Sequence, residues 1–459
     1  SLVLRFAVLG SDACTLDIAT THNNIGRVHY MKGEYDLALS RYIEALRMRR
    51  QLLGDDHIDV AAVVCNAGQA YHHRGELKDA LMMYQEFIRI ATSQLGDKHR
   101  DVAMVLKCIA QIHHERNEFE PAKAKYLEAL EAGRAALGHV HPEIASTLNK
   151  LGNLLYERGL LAEAIKVYRT GLKVERLCLD RLHPNIVVTL TNIGQIHRLR
   201  GDLHSALRFY QEAAIIQRKT LGSDHSSTLS TLSSIAWIFF QTRSYVKALE
   251  LYQEVLRVRM DRKDSTGEDD LDIASTLNSI GLVLFKMEQY EMALPSLLRS
   301  LQIRRQILGH SHKDVAVILY NIGTVYLELG DEDDAINYYR ETLRVEQAAL
   351  GPTHPDAVLT MQHLGLVHQQ RGEIKESLHY YFKVLQIQIE GECPASIART
   401  WNHIGNLFLQ KGETESMMAA FSESLRELNK IGKSEGDLAI TGLNFYGLAK
   451  IHPECAPVA

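Results

Sequence analysis

A chain of 459 residues, 46% of them apolar, carries enough hydrophobic surface to fold, which excludes global disorder. A net charge of −5 and a pI near 6.5 argue against a nucleic-acid-binding surface as the main role. The longest strongly apolar run, Ile235 to Phe240, is far short of the roughly 20 residues that a membrane-spanning helix needs.

Ser1 to Gly10 is apolar but has no basic leader region, and Arg5 interrupts it, so it does not read as a signal peptide. It aligns instead with Ala45 to Gly54: Leu2 falls on Leu46, Arg5 on Arg49, Leu9 on Leu53 and Gly10 on Gly54. Residues 1–10 are therefore expected to be the tail of a preceding repeat helix, and the chain to be a fragment or to have lost that helix.

From there the sequence repeats. A small residue recurs at Gly26, Gly68, Ala110, Gly152, Gly194, Ala236, Gly281, Gly323, Gly365, Gly405 and Gly447, with successive spacings of 42, 42, 42, 42, 42, 45, 42, 42, 40 and 42. Counting from that residue, position +7 is mostly glycine (Gly33, Gly75, Gly159, Gly201), +12 mostly alanine (Ala38, Ala80, Ala122, Ala164) and +16 mostly tyrosine (Tyr42, Tyr84, Tyr126, Tyr168). Such a period marks stacked supersecondary units.

Repeat 4 shows the logic. Ile144, Leu148, Leu151 and Leu155 line one face of a first helix, A, and Leu161, Ile165, Tyr168 and Leu172 one face of a second, B. Gly159 lies between them, where a left-handed residue ends helix A. Gly152 and Ala164 let the two helices approach closely, and Tyr168 fills the space beside them. Helix B ends in Leu-Gly at 53–54, 95–96, 137–138, 221–222, 308–309 and 350–351, and His-Pro at 141–142, 183–184 and 354–355 starts the next helix A with proline in its first turn.

The register shifts twice. Three extra residues fall in the polar stretch Met260 to Asp270, where a longer surface loop and a bend are expected. Two residues are lost near Gly391 to Pro394, together with the connector histidine. The expected organisation is residues 1–10, the helix tail; 11–263, repeats 1–6; 264–430, repeats 7–10; and 431–459, a capping helix and tail in which Gly447 begins an eleventh helix A stopped by Pro453.

Glycine, glycine seven later, alanine twelve later and tyrosine sixteen later resembles the tetratricopeptide repeat. The 42-residue period and the connector Leu350 to Ala357 are similar to the kinesin light chain type. The resemblance covers nearly the whole chain and implies an all-α, right-handed superhelical solenoid of about ten helix-turn-helix repeats, with helix A on the concave face and positions −6, −3, +1, +4 and +5 pointing into the groove.

By that register, −3 carries Asn23, Asn149, Asn278 and Tyr320, and +1 carries Gln69, Gln111, Asn153, Gln195, Trp237 and Leu282. Amides both donate and accept, which suits the backbone of an extended peptide. Trp237 and Phe240 with Leu282, Phe285 and Tyr320 form an apolar patch, read either as an interface anchor or as local packing. Arginines at +24 (Arg50, Arg134, Arg176, Arg218, Arg305) suit a helix C-terminus and, alternatively, an acidic peptide.

His57, His99, His141, His183, His225, His312 and His354 share one connector position. Equivalent positions of adjacent repeats stand about 8–10 Å apart, too far to share a zinc ion, so these read as capping or packing residues. His72 and His114 share +4, where a bond to a ligand is favoured over a groove metal. Six scattered cysteines without CxxC spacing read as buried thiols of a reducing, cytoplasmic location. The sequence shows no HExxH, GxSxG, Walker or dinucleotide-binding motif, so no enzyme, cofactor or metal is expected. A scaffold or adaptor binding a protein or peptide is the leading function. A structural spacer, or a self-assembling or sensor domain, is the alternative. Neither nucleic-acid binding nor membrane insertion is expected.

Overall fold

The computed structural model describes residues 15–262, 267–391 and 393–431. The readings made for residues 1–10 and for the capping helix beyond residue 431 lie outside them.

Local chemistry sets each helix boundary. In repeat 4, His141 adopts an extended backbone (φ −148°, ψ 143°) and its ring Nδ1 accepts the Glu143 N–H at 3.2 Å, satisfying one of the donors that a helix start leaves unpaired. Pro142 follows at the first helical position, where its missing N–H costs nothing. The helix ends where Gly159 takes φ +79°. There its N–H bonds the Tyr156 carbonyl and that of Leu160 bonds the Leu155 carbonyl, so the last carbonyls are used rather than exposed.

This unit recurs, giving twenty α-helices and no strand among the described residues. Repeats 1 to 5 comprise α1 (Leu16–Met31) and α2 (Tyr35–Leu53), α3 (Ile58–Arg74) and α4 (Leu77–Leu95), α5 (Arg100–Glu115) and α6 (Phe119–Leu137), α7 (Pro142–Glu157) and α8 (Leu161–Cys178), α9 (Pro184–Leu199) and α10 (Leu203–Thr220). Repeats 6 to 10 comprise α11 (Ser226–Gln241) and α12 (Tyr245–Asp261), α13 (Gly267–Lys286) and α14 (Tyr290–Leu308), α15 (Lys313–Glu328) and α16 (Glu332–Leu350), α17 (Pro355–Gln370) and α18 (Ile374–Glu390), α19 (Pro394–Lys411) and α20 (Thr414–Ile431).

The chain divides into two compact units, Ser1–Thr231 and Leu232–Ala459. The division falls inside α11 of repeat 6. Within each unit, helices A and B of a repeat pack together, helix B packs on the next helix A, and some A helices touch their successors (α1 with α3, α5 with α7, α13 with α15). Each unit is therefore an all-α stack of helix pairs, in which a repeat buries its apolar faces against its neighbours.

The core follows the repeat register. Tyr42, Tyr84, Tyr126 and Tyr168 in the first unit, and Tyr339, Tyr381 and Phe421 in the second, are fully buried at +16. Where +7 is not glycine, the chain still adopts the left-handed conformation: Asn117, Arg243 and Glu288 have φ of 58°, 58° and 60°. The turn is thus imposed by helix packing, against the preference of Arg and Glu.

Of the stretch expected to form a longer loop, residues 263–266 lie outside the described residues, while the residues at its two ends are helical. Helix α12 runs through Asp261, and α13 begins at Gly267 with 20 residues, against 16 for α15. The extra residues lengthen a helix A, consistent with an acidic run suiting a helix start. At the two-residue deletion, Cys393 replaces the connector histidine and its Sγ meets Ser396 Oγ of α19 at 3.4 Å in place of the histidine cap.

Candidate ligand-binding face

Side chains on successive A helices are bonded to each other across repeats. In the first unit, Asn66 Nδ2 donates to Asn23 Oδ1 at 2.9 Å. His72 Nε2 pairs with Glu115 Oε2 at 2.8 Å, and His114 Nε2 with Glu157 Oε2 at 2.6 Å. Gln111 donates to Glu115 Oε1 (3.0 Å) and accepts from Lys150 Nζ (2.9 Å) and Tyr126 OH (3.2 Å). Burial alone would push the Glu115 carboxyl up, but the hydrogen bonds from Gln111 and His72 outweigh it and hold the group below its ordinary value. Burial and the nearby Lys107 lower the Lys150 ammonium.

The other residues singled out in this unit divide by environment. Asn153 is exposed; it accepts from Tyr168 OH, with Asn192 Nδ2 at 3.4 Å. Gln195 donates to Tyr156 OH at 2.7 Å, and Gln69 is half-buried. Asn149 turns towards helix B: its Nδ2 lies 2.8 Å from both Glu175 Oε1 on α8 and Thr189 Oγ1 on α9. Its side chain thus holds an inter-repeat joint.

In the second unit, Asn321 Nδ2 donates to Asn278 Oδ1 at 3.0 Å, repeating the Asn66–Asn23 bond. Tyr320 OH meets His363 Nε2 at 2.8 Å, and the Tyr320 ring lies 5.5 Å from Tyr339. Phe240 and Phe285 pack on one core cluster, each tilted against a tyrosine of its own repeat, Tyr245 at 5.8 Å and Tyr290 at 5.4 Å. Tyr320 packs on the neighbouring cluster. Trp237 and Leu282 are half-buried. Much of the apolar patch is therefore already engaged in local packing.

The connector histidines are caps: Nδ1 of His57, His99, His141, His183, His225, His312 and His354 accepts the backbone N–H two residues on, at 3.1–3.3 Å. Among the arginines at +24, Arg50, Arg176 and Arg305 pair with Glu86 (2.5 Å), Glu212 (2.5 Å) and Glu341 (2.8 Å) on the next helix B. Of the cysteines, Cys65 is buried, Cys108 and Cys178 are half-buried, and Cys393 is exposed at the start of α19, which departs from the uniformly buried set expected. Among the described residues no three His, Cys, Asp or Glu side chains converge as metal ligands. Nor is any described helix long and apolar enough to cross a membrane.

Sequence reasoning missed the carboxylates Glu115 and Glu157 at +5, although they stand 42 residues apart and each lies 43 residues after a +4 histidine, His72 or His114. It also missed the residues at +23, which vary in type from repeat to repeat (Arg49, Ala91, Gly133, Glu175, Gln217).

A tetratricopeptide repeat profile matches residues 17–93, 68–135, 101–176, 185–261 and 272–347, and a second one matches 398–427. No curated protein is significantly similar to the chain in sequence. Among solved structures, BtubC (BKLC) from P. vanneervenii is 18% identical, with a TM-score of 0.44 over 52% of this chain and 94% of that one. The apo form of RapI is 14% identical, with a TM-score of 0.46 over 62% and 98%. A Podospora anserina putative kinesin light chain with nearly identical repeats is 16% identical, with a TM-score of 0.31 over 55% and 98%.

Proposed function

Because this chain belongs to the tetratricopeptide repeat family, a family of protein-interaction scaffolds, we propose that it is a non-enzymatic adaptor that holds an extended segment of another protein along its A helices. The supporting observation is the line of polar side chains fixed between successive A helices, from Asn23–Asn66 through His72–Glu115 and His114–Glu157 to Asn153–Asn192. Such groups are held in place before a ligand arrives, so little side-chain entropy is lost on binding. Their spacing also suits an extended chain. Packed helices stand about 8–10 Å apart, and an extended chain rises about 3.3 Å per residue, so each repeat meets about three ligand residues.

A specific observation favours the second reading, a structural spacer: Asn23 and Asn66, like Asn278 and Asn321, spend hydrogen-bonding capacity on each other. Affinity capture from native lysate, read by mass spectrometry, separates the two. The wild-type chain is compared with Gln69→Ala/Asn153→Ala in the first unit and Trp237→Ala/Phe240→Ala in the second, with circular dichroism confirming retained helices. A partner held by wild type and lost by either variant is the expected result. Equal capture by all three moves the site off this face, and recovery of the chain alone favours the spacer.

A further inference from the structure

Position +23, near the end of helix B, is where one repeat reaches the next. Arg49, Gln217 and Arg259 each donate to a backbone carbonyl in the first two turns of the following helix A: Asp59 at 2.6 Å, Ser227 at 3.2 Å and Asp272 at 2.9 Å. Arg304 reaches Ser275 Oγ at 3.1 Å and the Asp314 carboxylate at 3.3 Å. These joints are closed by a donor.

Repeats 4 and 8 place glutamates at this position. Glu175 and Glu346 are only 1% and 5% exposed, and among the described residues neither forms an ion pair. Asn149 donates to Glu175 Oε1 and lies against Thr189, tying α7, α8 and α9 together. Gly171 makes room for it, since a Cβ there would stand 2.9 Å from Asn149 Oδ1. Thr360 of α17 lies beside Glu346. The Oε2 atoms of both glutamates are buried without a hydrogen-bond partner in the protein.

An ionised carboxylate is acceptor-only, whereas the acid form has one donor and carries no charge to bury. The titratable groups facing Glu175 are His183, at the start of α9, and Cys178 on its own helix. Those facing Glu346 are His354 and Asp356 at the start of α17, and Tyr320 on α15. No lysine or arginine is among them.

We propose that Glu175 and Glu346 close the joints between repeats 4 and 5 and between repeats 8 and 9 as uncharged carboxylic acids, and that loss of their protons loosens these two joints while those built on arginine and glutamine stay closed.

Burial raises both carboxyls above their ordinary value of 4.5, outweighing the opposing effect of Thr189 and the Asn149 amide beside Glu175 and of Thr360 beside Glu346. A carboxyl raised in the folded state binds more protons folded than unfolded between the two pKa values. Its contribution is complete below the unfolded value, falls as pH rises through the window, and is level above the folded value. Glutamine has no titratable side chain, so the Gln217 joint lacks this dependence.

Hydrogen–deuterium exchange on the whole chain tests this. Protection of α8–α9 and α16–α17 is followed against pH for wild type, Glu175→Gln and Glu346→Gln, after correction for the intrinsic pH dependence of exchange. Wild-type protection at both joints should fall as pH rises above 4.5, by about tenfold for each unit separating the folded and unfolded values. Each glutamine variant should keep its own joint protected and leave the other wild-type. The same pH dependence in variant and wild type overturns the proposal. A level wild-type profile at both joints overturns it without reference to any variant.

Discussion

The ring of Tyr168 occupies the space that a side chain on Gly152 would need: a Cβ there would stand 2.7 Å from the ring Cε1 atom. The same closeness recurs between Gly26 and Tyr42, Gly365 and Tyr381, and Gly405 and Phe421. Helices A and B of a repeat are thus matched by one missing and one large side chain.

Gly152→Ala is accordingly expected to destabilise. Tyr168 is 1% exposed and cannot retreat into solvent, so the added methyl acts as overpacking, at about 1–3 kcal/mol. Denaturant unfolding checks the value. An unchanged midpoint would mean that the two helices part without cost.

Arg243→Gly and Glu288→Gly should stabilise, each by up to about 1 kcal/mol. Both residues occupy left-handed backbone (φ 58° and 60°), where an L side chain is strained and glycine is not. The gain is reduced by the extra freedom that glycine gives the unfolded chain. Thermal melts of the two variants are the measurement, and a fall in Tm would contradict the expectation.

His141→Ala should cost about 0.5–2 kcal/mol through loss of the cap to the Glu143 N–H, while His141→Asp restores an acceptor and most of the stability. Equal losses in the two variants would show that the ring matters by packing instead. Chemical denaturation of both discriminates.

The Arg176–Glu212 pair is half-exposed on both sides, so a double-mutant cycle should return only about 0.2–1 kcal/mol, shrinking as salt is added. A coupling of several kcal/mol would point to a more demanding role for the +24 arginines.

The thiols should react unequally. Burial pushes Cys65 up to about 12, whereas the exposed Cys393 is lowered by its hydrogen bonds to Ser396. Because the thiolate is the nucleophile, iodoacetamide at neutral pH should label Cys393 well before Cys65, with Cys65 reacting only on unfolding. Peptide mass spectrometry of a time course reads the order.

Sequence by itself determined the repeat, because its cause is local. A glycine that must take positive φ, a proline at a helix start and a small residue opposite a tyrosine each leave a letter at a fixed spacing, and 42-residue recurrence multiplies that signal. The N-capping histidines were legible for the same reason. What each surface side chain does was decided only by stacking. Asn149 has the same letter and register as Asn23, yet it turns towards α8, because Gly171 opens a place there and Glu175 waits at its end. Phe240 and Phe285 read either as an interface anchor or as local packing, and only the fold shows each leaning on a tyrosine of its own repeat. The +23 joints, varied in letter, become visible only once helix B is set against the next helix A. Periodicity records which face a residue occupies. Which neighbour meets it depends on side chains about 40 residues away, and no local pattern encodes that pairing.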